Sequence, residues 1–387
     1  MDQISSDSLE LHKKNQGKLE IKSKVPLQNR ADLSLAYTPG VGAVSSAIGN
    51  DKSKVYEYTI KSNSVGIISD GSAILGLGNL GPEAAIPVME GKALIMKELA
   101  NIDAFPICLA TQDTEEIIKT IKHIAPVFGA INLEDISAPR CFEIEKRLQA
   151  ELDIPVMHDD QHGTAVVVLA GLINAMKLRK LEKETARVVV NGVGSAGVAI
   201  AKILLVYGFK NIILSDSKGP IYKKRGDLTP EKRDLAELTN LDCDHGLDSS
   251  LCASGNLESA LRGANVFIGV SKAGILSGDM IKLMAEQPII FAMANPVPEI
   301  MPDEAKRAGA FIVATGRSDF ANQVNNSLAF PGIFRGALDH RIKQFTDEMF
   351  IKAALNLSNY VKNPDPENII PDPLDRGVVK VVSEAIK

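Results

Sequence analysis

Residues 187–205, RVVVNGVGSAGVAIAKILL, decide how this chain folds. The stretch opens on Val188-Val189-Val190, an apolar β-branched run that reads as a buried strand. Gly192-Val193-Gly194-Ser195-Ala196-Gly197 then spells G-x-G-x-x-G, and an apolar-periodic helix begins at once. In such a turn Gly192 allows the tight bend and Gly194 lets backbone approach a pyrophosphate. Gly197 permits close helix–strand packing, with the N-terminal N–H groups of the helix facing the anion. The glycine pattern alone is weak, and a ligand-free βαβ crossover is the alternative. The context is specific: a second strand, 211–215, ends at Asp216, where a ribose 2′-OH partner is expected about 20 residues on. The expectation is a dinucleotide site built from Gly192, Gly194, Ser195, Ala196, Gly197 and Asp216.

Working outward, 387 residues exceed one small core and predict two or three domains. The chain is 45% hydrophobic and 24% charged, with a net charge of −5 and both signs interspersed, which predicts an ordinary soluble protein. No basic patch suggests nucleic acid, and no apolar run reaches the roughly 18 residues of a membrane helix. The polar, acidic N-terminus is unlike a secretory signal, so a cytoplasmic protein is expected. Cys108, Cys141, Cys243 and Cys252 show no C-x-x-C spacing and are expected to be reduced, although Cys243 and Cys252 could meet across a loop.

Along the first half, strands alternate with helices. Strands are predicted at 65–70, 105–109, 128–133 and 154–158, and helices at 82–100, 114–124 and 139–151. This alternation predicts a mostly parallel sheet with helices on its faces. A helix over 163–181, apolar on most faces, joins this half to the fingerprint strand. Beyond it come a turn-prone excursion at 218–255, strands at 266–270, 289–293 and 311–314, and closing helices from 331. The predicted fold is α/β with two domains, 1–160 and 161–387, each a mostly parallel sheet flanked by helices, the second of Rossmann type.

Ligands in such sheets bind beyond the carboxyl ends of strands. There the first half carries Asp70, Glu134-Asp135 and His158-Asp159-Asp160. Carboxylates gathered at successive strand ends repel unless they share a cation, and hard oxygen donors suit Mg²⁺ or Mn²⁺. Asp159 and Asp160 could instead simply cap the following helix. His158 and His162 lack zinc-site support and read as hydrogen-bonding histidines. Lys92 lies on an otherwise apolar helix, where burial and a nearby cation would lower its pKa toward base duty, unless it snorkels. Tyr37 falls at a Pro/Gly-rich turn.

Seven stretches occur in order: AYTPGVG (36–42), SDGSAILGLGNLGPEAAIPVMEGKALI (69–95), INLEDISAPR (131–140), HDDQHGTAVV (158–167), the fingerprint, ANPVPEI (294–300) and GRSDFANQVNNSLAFPGIFRGALD (316–339). Together they resemble the malic enzymes, more closely the short bacterial type. The resemblance implies oxidative decarboxylation of L-malate to pyruvate and CO₂, with NAD or NADP as cofactor and Mg²⁺ or Mn²⁺ bound. By motif, Tyr37 matches the general acid and Lys92 the general base. Glu134, Asp135 and Asp160 match the metal-binding carboxylates, and Asp159 a neighbouring acid that positions Lys92 or a metal-bound water. Asn295 and Asn326 match residues holding the substrate carboxylate and the nicotinamide end. Long animal-type members carry an arginine for the substrate carboxylate where Ala73 stands here, so another cation or amide must serve. Asp216 tilts the cofactor expectation slightly toward NAD, although Lys218, Lys223, Lys224 and Arg225 could meet a 2′-phosphate. A homodimer or higher homo-oligomer is expected, with Tyr37 a candidate to complete a neighbour's site. The rival readings are a malolactic-type or other 2-hydroxy-acid dehydrogenase, and a catalytically silent NAD(P)-sensing protein.

Overall fold

The computed structural model describes residues 3–245 and 252–387. Four helices come first: α1 (Gln3–Asn15), α2 (Arg30–Ala36), α3 (Val41–Asn50) and α4 (Val55–Tyr58). None of them carries a buried residue.

The first sheet is built from β1 (Ser64–Ser69), α5 (Pro82–Ala100), β2 (Asp103–Cys108), α6 (Thr114–Ile124), β3 (Ala130–Leu133), α7 (Arg140–Glu151) and β4 (Val156–His158). Its strand order is β2-β1-β3-β4, all parallel, with Gly66 of β1 level with Phe105 on one side and Ile131 on the other. Pro82 opens α5, where its missing N–H costs no bond. Met89, Ala93 and Met96 turn one face of α5 into the core. Ile117 and Ile121 of α6 and Ile144 and Leu148 of α7 cover the opposite face, against Ile68, Ile131 and Leu133. Each of these sets recurs at helical spacing, so burial of one apolar stripe per helix accounts for the layering.

Helix α8 (Asp159–Arg179) joins the halves and is buried over most of its circumference, from Ala165 to Met176. Such a helix needs a core on every side. It has one: a continuous apolar cluster runs from Val65, Ile67 and Met89 through Val166, Val167 and Leu169 to Val188, Val190 and Ile200.

The second sheet comprises β5 (Arg187–Asn191), α9 (Ser195–Tyr207), β6 (Asn211–Asp216), β7 (Gly219–Pro220), α10 (Pro230–Ala236), α11 (Leu257–Leu261), β8 (Val266–Gly269), α12 (Gly278–Lys282), β9 (Ile289–Ala292), α13 (Pro302–Arg307) and β10 (Ile312–Thr315). The order is β10-β9-β8-β5-β6-β7, with β7 alone antiparallel. Strand order reverses at β5, so the crevice beyond its carboxyl end is the expected ligand position. Helices α14 (Phe330–His340), α15 (Asp347–Tyr360) and α16 (Gly377–Ser383) close the chain, with α14 packed back on α5 and β3 and α15 on α8. The predicted α/β architecture of two mostly parallel, helix-flanked sheets holds.

Two local expectations do not. The joining helix begins at Asp159 rather than residue 163, so His158 is its N-cap and no turn separates His158 from His162. Asp159 and Asp160 fill its first turn, where exposed N–H groups favour negative charge, and this extends the helix past the apolar periodicity. Cys243 and Cys252 are joined in a disulfide, with Cα atoms 4.5 Å apart, against the expectation of four reduced thiols; Cys108 and Cys141 are free. The Asn240 amide donates to both Ile221 O (3.0 Å) and Ala253 O (2.8 Å), and this clamp draws the two cysteines together. Among the described residues no helix is long and apolar enough to cross a membrane.

Candidate active site

The acids of the first half converge at the carboxyl ends of β3 and β4. Glu134 follows β3 directly and is 2% exposed, with the Asn132 amide donating to its Oε2 at 2.9 Å. Asp135 takes a left-handed backbone (φ 53°), a conformation short polar residues tolerate best. Its N–H donates to Asp160 Oδ2 at 3.0 Å, tying the β3 loop to the first turn of α8. Carboxylate oxygens of Glu134, Asp135 and Asp160 thereby lie within 4.8 Å of one another. Asp70, the acid that follows β1, is not part of this group. It is clamped by Arg140 (2.8 Å) and the Ser72 hydroxyl (2.6 Å) under the 71–81 loop.

Lys92, on α5, reaches across to Asp159 Oδ2 at 2.5 Å and Glu134 Oε1 at 2.9 Å, with its ammonium 4.5 Å from the centre of the Phe330 ring. Asp159 is fully buried behind it. Gly163 permits that placement, since a Cβ there would lie 1.8 Å from Asp159 Oδ1. Burial pulls the Lys92 ammonium toward neutrality, but Asp159, Glu134 and Asp160 outweigh it, so its pKa is raised rather than lowered as expected. Burial pushes Glu134 and Asp159 up to about 7. It pushes Asp135 to about 9, helped by Asp160 and Glu134, and raises Asp160 as well. Four acids thus crowd one ammonium, and Asp135 Oδ2 and Asp159 Oδ1 are buried without a hydrogen-bond partner. A hard divalent cation fits such a donor set: three carboxylates at ligand spacing, one with a free oxygen, and no sulfur or imidazole among them.

The fingerprint turn faces the same space. Gly192 has φ 105°, and a Cβ on it would lie 2.5 Å from Val270 O. A Cβ on Gly197 would lie 1.8 Å from Gly192 O, whereas one on Gly194 would meet nothing. The turn is therefore packed tightly on its inner side and open where a pyrophosphate would lie. A cavity of about 620 Å³ runs from this helix start to the carboxylates. Ser195, Ala196, Asn295 and Asn326 line it from the second half, and Lys92, Glu134, Asp135 and Asp160 from the first. The 71–81 loop reaches across the cleft, since a Cβ on Gly76 would lie 2.6 Å from Asn295 O.

Not every expected residue joins them. Tyr37 caps the C-terminus of α2, is 66% exposed, and is not among the residues lining the cavity within one protomer. Asp216 ends β6 as expected, but its carboxylate is held by Arg225 (2.8 and 3.0 Å) and by Lys232 of α10 (2.7 Å). Lys218 and Lys223 pair with Asp227 and Glu237. His158 and His162 are structural, with the His158 N–H and His162 Nε2 both bonded to buried Glu145. Two titratable lining residues carry no mark in the sequence: His12 and Lys18 lie in a polar N-terminal run without a motif.

Known proteins place this geometry. Residues 16–149 match the family model for the malic enzyme N-terminal domain, and residues 161–385 that for the malic enzyme NAD-binding domain. The chain is 52% identical to the bifunctional malic/malolactic enzyme of Bacillus subtilis, over 99% of this chain and 92% of that protein. It is 53% identical to an NAD-dependent malic enzyme of Geobacillus stearothermophilus, over 96% of this chain and 76% of that one. The crystal structure of the NAD-dependent malic enzyme from Thermotoga maritima superposes with a TM-score of 0.93 at 49% identity, covering 98% and 99% of the two chains. With both domain models matched in order across nearly the whole chain, this protein belongs to the malic enzyme family.

Proposed function

We propose that the chain converts L-malate and NAD(P)⁺ to pyruvate, CO₂ and NAD(P)H. The observation that carries this reading is one cavity bounded by a lysine–carboxylate cluster at one end and a dinucleotide-binding helix start at the other. When bound, a divalent cation supplies Lewis-acid polarisation and the nicotinamide supplies the hydride acceptor. Glu134, Asp135 and Asp160 would hold that cation. Gly192, Gly194, Ser195, Ala196 and Gly197 would hold the dinucleotide, and Asn295 and Asn326 would orient the substrate carboxylate and the nicotinamide end.

Lys92 Nζ is the base for the C2 hydroxyl proton. It is protonated in the pairing seen here, so it must first give up a proton, and Asp159 Oδ2, at 2.5 Å and with a pKa near 7, is the group placed to receive it. Loss of CO₂ from the oxaloacetate so formed leaves an enolate, and Tyr37 protonates its C3. Tyr37 reaches a cavity through a second copy of the chain. Support for this lies in α1–α4, which bury no residue: Leu33 and Leu35 of α2 are exposed beside Tyr37, and Ile21 (94% exposed) and Leu27 are exposed in the segment before α2. A homodimer covering this surface would deliver Tyr37 across the interface. We divide the chain at 160/161 into a malate- and metal-binding half and a nucleotide-binding half that includes the C-terminal helices, with α8 as the joint.

NAD is the favoured cofactor: Asp216 stands at the ribose position and keeps Arg225 and Lys232 from meeting a 2′-phosphate, and the Geobacillus and Thermotoga relatives are named as NAD-dependent. Cytoplasmic placement is part of the same proposal, because the reaction draws on a nicotinamide pool. Product analysis tests the reaction. Pyruvate and NADH in equal amounts are expected from malate, whereas lactate with no net NADH would redirect the assignment to malolactic chemistry.

A further inference from the structure

The cavity holds a second ammonium besides that of Lys92. Lys18 follows α1, and its Nζ donates to the Pro87 carbonyl on α5 at 2.7 Å. A Cβ on Gly91 would lie 3.6 Å from that Nζ, so the bare backbone at Gly91 lets the ammonium lie along α5, one residue before Lys92. Lys92 is committed to Asp159 and Glu134, whereas Lys18 forms no ion pair at salt-bridge distance among the described residues, and Glu90 acts on it only through space. One acceptor leaves two of its three N–H donors available. His12 of α1 lines the same cavity. Its Nδ1 donates to Ser8 O at 2.7 Å, so its Nε2, buried without a partner, is an acceptor and leaves Lys18 as the cation of this arm.

An ammonium with two donors to spare, brought into the cavity beside Gly91 and not hydrogen-bonded to Glu134, Asp135 or Asp160, is placed to hold an anion. The 71–81 loop brings no other cation to the cavity: Ala73, Leu75 and Gly76 line it there. We propose that Lys18 binds the malate carboxylate that is kept in pyruvate. This rests on the malate reading above. The choice of carboxylate follows from the electron flow. Decarboxylation draws the C3–C4 bonding pair out of the leaving carboxylate, so a cation there would stabilise the ground state and slow the step. A cation on the retained carboxylate binds substrate, transition state and product alike.

The test is steady-state kinetics of the full chain with Mn²⁺, for Lys18→Met and Lys18→Arg beside wild type, with unfolding temperature confirming the fold. Loss of one charged hydrogen bond predicts, for Lys18→Met, a rise of about 10- to 100-fold in malate KM and a parallel rise in pyruvate Ki. The kcat should stay within a few-fold and the cofactor KM within about two-fold, as for loss of uniform binding. Lys18→Arg should recover most of the affinity. Should Lys18→Met fail to fold, Gly91→Leu gives the second reading, because it fills the place where the ammonium lies and should raise malate KM in the same way. An unchanged malate KM in folded Lys18→Met overturns the proposal. So does a malate KM that rises while pyruvate Ki does not, which would put Lys18 on the leaving carboxylate. A wild type that reduces neither cofactor with malate refutes the underlying reading instead.

Discussion

Taking away the Lys92 ammonium leaves Glu134, Asp135, Asp159 and Asp160 with no counter-charge of their own. Lys92→Met keeps most of the side-chain volume, so the change is chiefly electrostatic. Breaking a buried ion pair from one side costs about 3–5 kcal/mol, and here one lysine serves both Asp159 and Glu134, at 0% and 2% exposure. The sign of the pH dependence is fixed by the acids. Their pKa values in the folded, metal-free protein lie above the ordinary carboxylate range, near 7 for Glu134 and Asp159 and about 9 for Asp135. The folded state therefore holds protons that the unfolded state releases. The resulting stability is complete below the unfolded values and is lost as pH rises through about 7 for Glu134 and Asp159 and through about 9 for Asp135. Without Lys92 the acids ionise less readily still, so the cost of the substitution is small near pH 6 and full at pH 8. With about 2–4 °C per kcal/mol for domains of this size, a loss of about 3 kcal/mol lowers Tm by about 6–12 °C at pH 8. Saturating Mn²⁺ should restore it, by about 2.7 kcal/mol at a hundred times Kd, and should raise the variant's Tm more than that of wild type. Calorimetry in EDTA and in Mn²⁺, at pH 6 and 8, makes the comparison. A variant as stable as wild type in EDTA at pH 8 would refute the picture of one ammonium holding the cluster together.

Mixing inactive Tyr37→Phe and Lys92→Ala chains through reversible dissociation should recover about a quarter of wild-type turnover, because only a mixed dimer has one site with both groups intact; no recovery would place Tyr37 and Lys92 on the same chain's site. Gly197→Val should abolish detectable NAD binding by fluorescence titration, since its Cβ would start 1.8 Å from Gly192 O; normal affinity would remove the fingerprint turn from the cofactor site. Asp216→Ser should free Arg225 and Lys232 for a 2′-phosphate and shift the ratio of kcat/KM values toward NADP⁺ by about tenfold or more, with an unchanged ratio contradicting the assigned ribose position. Thiol titration of the denatured, unreduced protein should count Cys108 and Cys141 only, and four reactive thiols would contradict the disulfide.

Local pattern made much of the fold legible. The β-branched run before Gly192 is a strand, Pro82 does open a helix that ends at Ala100, and acids do gather at the ends of β3 and β4. Periodicity reports which face of an element is buried and says nothing of what lies across from it. Lys92 meets Asp159 from 67 residues away, and Asp70 finds Arg140 from 70 away, so one acid enters the cluster and the other is withdrawn from it only once the chain is folded. Apolar spacing in α8 begins after its two acidic residues, so periodicity places the helix start four residues late. Lys18 left no trace in sequence, because its function depends on Pro87 and Gly91 of a distant helix. Tyr37 was readable as a turn residue, yet its place in the reaction depends on a surface that one chain does not complete.

The central claim is that the acid–lysine cluster and the dinucleotide turn work on malate in one cavity. Absorbance at 340 nm, followed with L-malate and NAD⁺ or NADP⁺ in the presence of Mn²⁺ and again after chelation, tests it most directly. Metal- and malate-dependent reduction of the cofactor that falls by two orders of magnitude or more in Lys92→Ala is the predicted result, as for loss of a general base. Reduction that persists without metal, or that survives in Lys92→Ala at near wild-type rate, would contradict it.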